Sequence, residues 1–390
     1  MYRMVTEERK EEVDMNFGLI GCGRIAVNHI KAVINNNLEL IAVCDLLPEA
    51  MENLLSRTQC PQMPLRYTDY RQMLDEHPEL ELVAIATDSG VHAEIALYCI
   101  EHGIHVIIEK PMAMSMRDAR EIVRRSQEKH VKVTVCHQNR FNIAIQQMRQ
   151  ALEAGRFGKL SHGAVQVRWN RDQGYYDQAP WRGKWASDGG CLFNQCIHGI
   201  DLLRWMMGDD VDEVYGVTKR QFHDYIEGED LGTAVVKFRN GSVGIIEGTV
   251  NVYPQNLEET LYLFGETGTV KIGGKSTTNI DVWRFADETE DDQAKCGLVE
   301  PTSNVYGNGH TSLYADMIEA IQQNRKPYID ADAGCNAVEM VLAIYQSAAT
   351  GMPVKLPLGD VAAMDFTGRF DGEKPCMHRL PPLFGGGSAI

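Results

Sequence analysis

Two rhythms of apolar and polar residues divide this chain. Between residues 16 and 138, short apolar runs rich in β-branched side chains occur at 16–20, 38–44, 80–86, 104–108 and 131–136. They alternate with stretches whose apolar positions recur every three to four residues. The runs predict strands buried on both faces; the stretches predict helices, one ending near 35 and others at 71–76, 91–102 and 116–129. Gly103 stands where a helix ending at 102 needs a left-handed cap. Strands and helices in this alternation predict a doubly wound parallel sheet.

Beyond about residue 160 apolar residues fall at every second position, in 161–169, 211–220, 233–239 and 242–250, as in strands with one solvated face. Asn240-Gly241 between two of them signals a type I′ hairpin turn. Segments 261–264 and 270–272 predict another hairpin, and 281–285 a further strand. Helices are expected at 188–207, 312–324 and 336–347, and the acidic run 287–292 reads as a solvated loop. This predicts a charged leader at 1–15, an α/β dinucleotide-type domain at 16–138 and an α+β domain with a largely antiparallel sheet at 139–358. The tail, 359–390, reads as flexible or arm-like, and no internal repeat is present.

Chemistry-bearing residues gather at the joints of this pattern. Gly21-Cys22-Gly23-Arg24-Ile25-Ala26 links the first strand to its helix. The first glycine suits a tight turn, the second close approach to a pyrophosphate, and the small Ala26 close packing of helix on strand. Asp45 ends the next strand, where a carboxylate accepts from the adenosine ribose and repels a 2′-phosphate, so NAD is expected rather than NADP. The strand 104–108 delivers Glu109, Lys110 and Pro111 at its carboxyl end, where ligands of open α/β sheets sit.

Asn194, His198 and Asp201, spaced four and three apart, share one face of a regular helix. Gly189-Gly190 before them would let backbone approach a ligand. The stretch 168–185 holds Arg168, Arg171, Arg182 and Lys184 beside Trp169, Tyr175, Tyr176, Trp181 and Trp185. Guanidinium groups grip phosphate or carboxylate and rings stack on bases or sugars, which suits an anionic substrate with a flat ring. Gln138-Asn139-Arg140-Phe141-Asn142 leaves the last parallel strand toward the same cleft. Each feature also has a plainer reading: a surface lysine before a turn, a core or capping histidine, aromatics that pack on the sheet or at an oligomer contact.

Bulk properties narrow the field. A formal charge of −16 on 390 residues argues against nucleic acid or anionic membrane as partner. No apolar run approaches the roughly 20 residues of a membrane span. The charged leader lacks the apolar stretch of a signal peptide, so a cytoplasmic protein is expected. The ten cysteines include no Cys-x-x-Cys pair, and Cys191 and Cys196, five apart, fall off a common face of a regular helix, so no metal is expected.

With these residues the chain resembles the glucose–fructose oxidoreductase/inositol dehydrogenase/rhizopine (Gfo/Idh/MocA) family from about 16 to 358. The match lies in the glycine loop, Thr87-Asp88-Ser89-Gly90-Val91-His92, Glu109-Lys110-Pro111 and Gly189-Gly190…His198-x-x-Asp201. Within it, Gln138-Asn139-Arg140, Tyr175-Tyr176-Asp177, Trp181-Arg182-Gly183, Asn194-Gln195 and Val305-Tyr306-Gly307-x-Gly309-His310 resemble the UDP-N-acetylglucosaminuronate 3-dehydrogenases. Many family members carry Asp where Asn194 stands, and the sugar 3-dehydrogenases share the replacement.

The resemblance implies NAD held by Gly21, Gly23, Arg24, Ile25, Asp45, Thr87, Ser89, His92, Glu109, Gln138, Trp181 and Arg182. It implies a nucleotide sugar met by Lys110, Asn139, Arg140, Arg168, Tyr176, Asn194, Gln195, His198 and Tyr306. His198 is expected to take the hydroxyl proton, Lys110 to hold the developing alkoxide, and Arg182 and Arg168 to hold phosphate or carboxylate. A homodimer or homotetramer paired through the exposed sheet is implied. The alternatives are UDP-N-acetylglucosamine or a free polyol such as an inositol as substrate, and a non-catalytic dinucleotide-dependent regulator; the cationic loop argues against the polyol.

Overall fold

The computed structural model describes residues 15–301 and 308–372. Its first half alternates as the pattern dictates: β1 (Asn16–Ile20), α1 (Ala26–Asn35), β2 (Glu39–Cys44), α2 (Pro48–Thr58), β3 (Leu65–Tyr67) and α3 (Tyr70–Glu76). Then come β4 (Leu82–Ile85), α4 (His92–Glu101), β5 (His105–Ile108), α5 (Met116–Glu128) and β6 (Val133–Val135). All pairs are parallel, in the order β3-β2-β1-β4-β5-β6. Chain order reverses between β1 and β4, which opens a crevice at the carboxyl ends where a dinucleotide lies. Val106, Ile107 and Ile108 of β5 are wholly buried, so burial on both faces positions the Glu109-Lys110-Pro111 turn.

The second half contributes α6 (Ile143–Glu153), β7 (Leu160–Arg168), α7 (Gln173–Tyr176), α8 (Ile197–Met207), β8 (Val211–Lys219), β9 (Leu231–Phe238) and β10 (Val243–Thr249). It continues with β11 (Glu258–Gly265), β12 (Gly268–Gly273), β13 (Asn279–Phe285), α9 (Glu290–Lys295), α10 (Gly309–Gln322), α11 (Ala331–Thr350) and β14 (Val354–Lys355). Eight strands form one sheet, β13-β12-β11-β7-β10-β9-β8-β14. Every pair is antiparallel except β10 with β7. α8 and α11 cover one face. The other exposes Tyr215, Val235 and Ile245, which lie opposite one another on neighbouring strands.

After the second sheet the chain returns to the first domain. Leu313, Tyr314, Met317 and Ile318 of α10 pack in one core with Phe17, Leu19 and Ile30, carrying His310 to the carboxyl edge of the parallel sheet.

Three expectations are corrected. The turn after β9 is not type I′, because only Gly241 is left-handed (φ +87°) while a type I′ turn needs two such residues. The loop is longer and closes with the Phe238 N–H on the Ser242 carbonyl at 3.1 Å. The acidic run is not wholly solvated: Asp292 is buried in α9, accepting from Trp283 Nε1 at 2.7 Å and pairing with Arg156 at 2.7 Å. The tail as far as residue 372 is packed: Phe366 and Phe370 are buried against Trp185. The remaining tail, the leader through residue 14 and Tyr306 lie outside the described residues.

Candidate active site

The phosphate loop takes its shape from its glycines. Gly21 has φ +94°, and a Cβ there would stand 2.5 Å from the Ala86 carbonyl. Gly23 faces open space, with nothing within 4 Å of the point a Cβ would occupy, so the loop leaves a cradle for a phosphate. No side chain caps the start of α1, which follows directly on the loop. Asp45 closes it: one carboxylate oxygen accepts from the Cys22 N–H at 2.8 Å and the other from Leu47 N–H at 2.9 Å. These residues fit a pyrophosphate and ribose.

Lys110 is half-buried at the end of β5. Its Nζ donates to the Asn194 carbonyl at 2.5 Å and approaches Asn194 Oδ1 at 3.3 Å. Asn194 donates in turn to Asp188, whose other oxygen accepts from the Gly183 N–H at 2.6 Å. Burial pushes Asp188 up to about 6 and pushes Lys110 below the usual lysine range; Arg182 and Arg171 add to the Lys110 shift, against Glu109 and Asp188.

His198 lies beside this chain of contacts. It is 7 % exposed, and its Nδ1 has no partner among the described residues. Burial, then the charge of Lys110 and the neighbouring His137, holds its pKa well below the usual histidine range. His137 packs edge-on against it, ring centroids 5.9 Å apart, with both its own ring nitrogens unpartnered among the described residues. A neutral imidazole can accept a hydroxyl proton and an ammonium can stabilise the oxygen left behind.

The regular-helix reading of 188–207 fails at one turn. Leu192–Cys196 is π-helical, and α8 begins only at Ile197. This widened turn puts residues five apart on one side, so the Cys191 and Cys196 thiols come within hydrogen-bond reach. Asp201 faces away from substrate chemistry, in a bidentate pair with Arg140 at 2.8 and 2.6 Å. Gly190 serves packing rather than a ligand: a Cβ there would stand 1.5 Å from the buried Glu229 carboxylate, which accepts from Leu192 N–H at 2.8 Å.

Several expected ligand residues are therefore committed elsewhere. Arg140 is spent on Asp201 and stacks on Trp205 at 4.8 Å. Arg168 is held by Glu247 at 2.6 Å and Glu258 at 2.7 Å on the open sheet face, which leaves it a poor phosphate anchor. His92 is buried with Nδ1 2.8 Å from the Pro111 carbonyl and Nε2 3.2 Å from the Thr87 carbonyl, and the one N–H of its neutral ring can donate to either, so it braces the lysine turn and the Thr87 loop rather than facing open space. Tyr176 is buried among Tyr175, His223 and Tyr225, and Tyr175 is the ring left at the domain boundary. Gln195 donates to the Tyr175 hydroxyl at 3.2 Å, Asn139 is buried with its Oδ1 unpartnered among the described residues, and Gln138 is buried where α10 begins. Ser89 N–H donates to the Ser187 carbonyl at 3.1 Å, tying the Thr87 loop to the second domain, and Trp181 with Tyr175 sandwiches Arg182.

Glu109 anchors a group that sequence spacing could not reveal. His29, Glu109, Cys136 and His310 place their ligand-type atoms within 4.8 Å of one another. The polar atoms serve one another: Glu109 Oε1 faces His29 Nε2 at 3.2 Å and His310 Nε2 at 3.3 Å, and His29 Nδ1 meets the Tyr314 hydroxyl at 2.7 Å. Burial works to raise Glu109, but the two histidine hydrogen bonds outweigh it and hold it well below the usual carboxylate range. The carboxylate also accepts from the Lys110 N–H at 3.2 Å, so this group braces the lysine from below.

Residues 15–137 match an oxidoreductase family with an NAD-binding Rossmann fold, and 149–356 match that family's C-terminal α/β domain. The chain belongs to the Gfo/Idh/MocA oxidoreductases. It is an NAD-dependent enzyme of the sugar and polyol dehydrogenase kind. The structure of the WlbA dehydrogenase from Bordetella pertussis, in complex with NADH and UDP-GlcNAcA, is 37% identical, covers 89% of this chain and 100% of its own, and superposes with a TM-score of 0.80. The Chromobacterium violaceum WlbA dehydrogenase, with the same two ligands, is 34% identical over 91% of this chain and 99% of its own, also with a TM-score of 0.80. Among curated relatives, the myo-inositol 2-dehydrogenase of Thermotoga maritima is 24% identical over 66% of this chain and 74% of its own length. Among the described residues no helix is long and apolar enough to cross a membrane.

Proposed function

We propose that this Gfo/Idh/MocA enzyme oxidises the C-3 hydroxyl of UDP-N-acetylglucosaminuronate to the 3-keto sugar, a step toward a cell-surface polysaccharide precursor. The observation that carries the reading is the Lys110–Asn194–Asp188 chain beside a neutral His198. It supports a reading in which a fixed cation and a base act on one hydroxyl, with Asn194 in the position where this branch of the family differs. The likeness to the two WlbA structures supports the choice of sugar.

NAD, when bound, accepts the hydride. His198 takes the hydroxyl proton as the C–H bond breaks, and Lys110 donates a hydrogen bond to the oxygen as charge grows on it. The main-chain carbonyl of Asn194 fixes the ammonium beforehand, so it need not reorganise during the reaction.

A polyol dehydrogenase is the second reading, favoured by the inositol dehydrogenases among the curated relatives. Initial rates of NADH formation on UDP-N-acetylglucosaminuronate, UDP-N-acetylglucosamine and myo-inositol separate the two. The uronate should be turned over with the highest kcat/KM; preference for inositol would replace the proposal.

The pH profile follows from the two shifted groups. His198 must be neutral, and its depressed pKa keeps it so on the acid side of the ordinary value near 6.5. Lys110 must be charged, and its depressed pKa brings its loss of a proton below the ordinary value of about 10.4. Both limbs of the kcat/KM profile should therefore lie to the acid side of ordinary histidine and lysine. An acid limb above pH 7 would count against His198 as the base.

Assembly belongs to the same proposal. The apolar row Tyr215, Val235 and Ile245, each 44 to 45% exposed, supports pairing of two copies through the open sheet face. Ile245→Asp should lower the mass measured by sedimentation equilibrium; an unchanged mass would move the contact elsewhere.

A further inference from the structure

The family's matched C-terminal domain ends at residue 356, yet the chain stays packed as far as residue 372. Ordering a segment costs conformational entropy that its contacts must offset, so the place where 358–372 finds those contacts is informative. It finds them in both domains. On the side of the parallel sheet, the Met116 N–H donates to the Val361 carbonyl at 2.9 Å and the Ala363 N–H to the Met114 carbonyl at 2.8 Å. Arg120 of α5 donates to the Leu358 carbonyl. On the side of the second sheet, the Leu358 N–H donates to Glu339 of α11 at 3.0 Å, and Arg220 donates to the Phe370 carbonyl at 2.8 Å.

Between these anchors Phe366 and Phe370 complete an aromatic cluster. The Phe366 ring centroid lies 5.9 Å from that of Trp185 and 5.5 Å from that of Tyr345, and Phe370 stacks on Trp185 at 6.4 Å. Trp185 and Tyr345 meet edge-on at 5.2 Å, and all four rings are buried. Each of the inner two rings continues into a different turn of the candidate site. Trp185 belongs to the turn that ends at Asp188, where the Asp188 and Gly189 N–H groups converge on the Lys184 carbonyl at 2.9 Å. Tyr345 packs on Phe193 at 5.7 Å, inside the π-helical turn and next to Asn194. Asp188 and Asn194 are the two residues whose hydrogen bond backs the grip on Lys110. The opposite edge of the segment pairs with 114–116, just past that lysine.

We propose that 358–372 is a strap across the two domains and that its Phe366 and Phe370 are positioning residues for Lys110. By wedging Trp185 against Tyr345 they fix the Asp188 turn relative to the π-helical turn, and so hold Asn194 on the ammonium. Interiors are close-packed, so removing the two rings opens a space into which Trp185 turns, carrying its turn with it. Asp188 then loosens its hold on Asn194, and the lysine loses a fixed acceptor and a nearby negative charge. The inference rests on the assignment of Lys110 to the reaction and not on the choice of sugar.

Competitive labelling of the native, full-length protein with acetic anhydride, read on each lysine peptide by mass spectrometry, tests the strap without a substrate. Amines react as the free base, so an ammonium released from its acceptor and from a negative neighbour labels faster on both counts. In Phe366→Ala/Phe370→Ala, Lys110 should label several-fold faster than in wild type, while the half-buried Lys132 and Lys271 keep their rates and NADH still binds. Phe370→Ala alone should give a smaller rise, and it decides the matter if the double variant does not fold. Phe366→Leu/Phe370→Leu, which keeps most of the apolar volume, should bring Lys110 back near its wild-type rate. A segment that only stabilised the fold would lower the unfolding midpoint and leave native Lys110 labelling alone. Unchanged Lys110 labelling in a folded alanine variant therefore overturns the strap, as does a rise shared equally by Lys132 and Lys271. Turnover of the best of the three substrates named above separates this inference from the one beneath it. Faster labelling with a fall in kcat supports both; faster labelling with kcat unchanged keeps the strap and removes Lys110 from the reaction.

Discussion

Lys110→Met should lower kcat by on the order of a hundredfold or more, the range seen when one donor to a developing oxyanion is removed. NADH should still bind, because the phosphate loop and Asp45 are built from β1, α1 and β2 and owe nothing to the lysine side chain. Methionine fills nearly the same volume, so the variant isolates the loss of charge. The same variant should lose the alkaline limb of the pH profile, which a lysine that merely packed would leave in place. Near-normal single-turnover hydride transfer in Lys110→Met would end the assignment of this residue to the chemistry.

The largest stability effect is expected at Arg140. Arg140 and Asp201 are 4% and 2% exposed, and their guanidinium and carboxylate meet through two hydrogen bonds. Arg140→Ala strands a buried carboxylate, a change that costs about 3–5 kcal/mol when one partner of such a pair is removed. The midpoint of urea unfolding should fall accordingly. Arg140→Met combined with Asp201→Leu should recover much of the loss, since two apolar residues of similar size leave no orphaned charge. If the double variant were as unstable as Arg140→Ala, packing against Trp205 rather than the ion pair would be the source of the stability.

The parallel sheet was legible because β1, β4 and β5 are apolar runs whose register leaves no polar face, and the glycine loop and Asp45 follow from strand ends. β3 was not, since its three residues are largely exposed and owe their strand form to pairing with β2. Lys110 and His198 could be picked out by type and place. Their partners could not: Asp188 is hydrogen-bonded to the Asn194 that grips Lys110, and His29, Glu109 and His310 come together from α1, the end of β5 and α10. His137 directly precedes Gln138-Asn139-Arg140, and its place at a strand end was the available signal. Arg168 and Arg171 are indistinguishable in a sequence window; which one is neutralised depends on Glu247 and Glu258, some eighty to ninety positions away.

The π-helical turn at Leu192–Cys196 makes this enzyme unusually sensitive to length at one place. Asp188 precedes the turn, Asn194 sits within it, and His198 with Asp201 follows it. Each residue of an α-helix advances the winding by roughly 100°. A π-turn holds one residue more than an α-turn, so deleting a single residue between Gly190 and Cys196 would restore regular winding, leave the direction of the imidazole nearly unchanged and displace the Asn194 carbonyl that grips the Lys110 ammonium. The spacing of this segment therefore works as a gauge block: its residue count sets where the Asn194 carbonyl stands relative to the lysine and the imidazole.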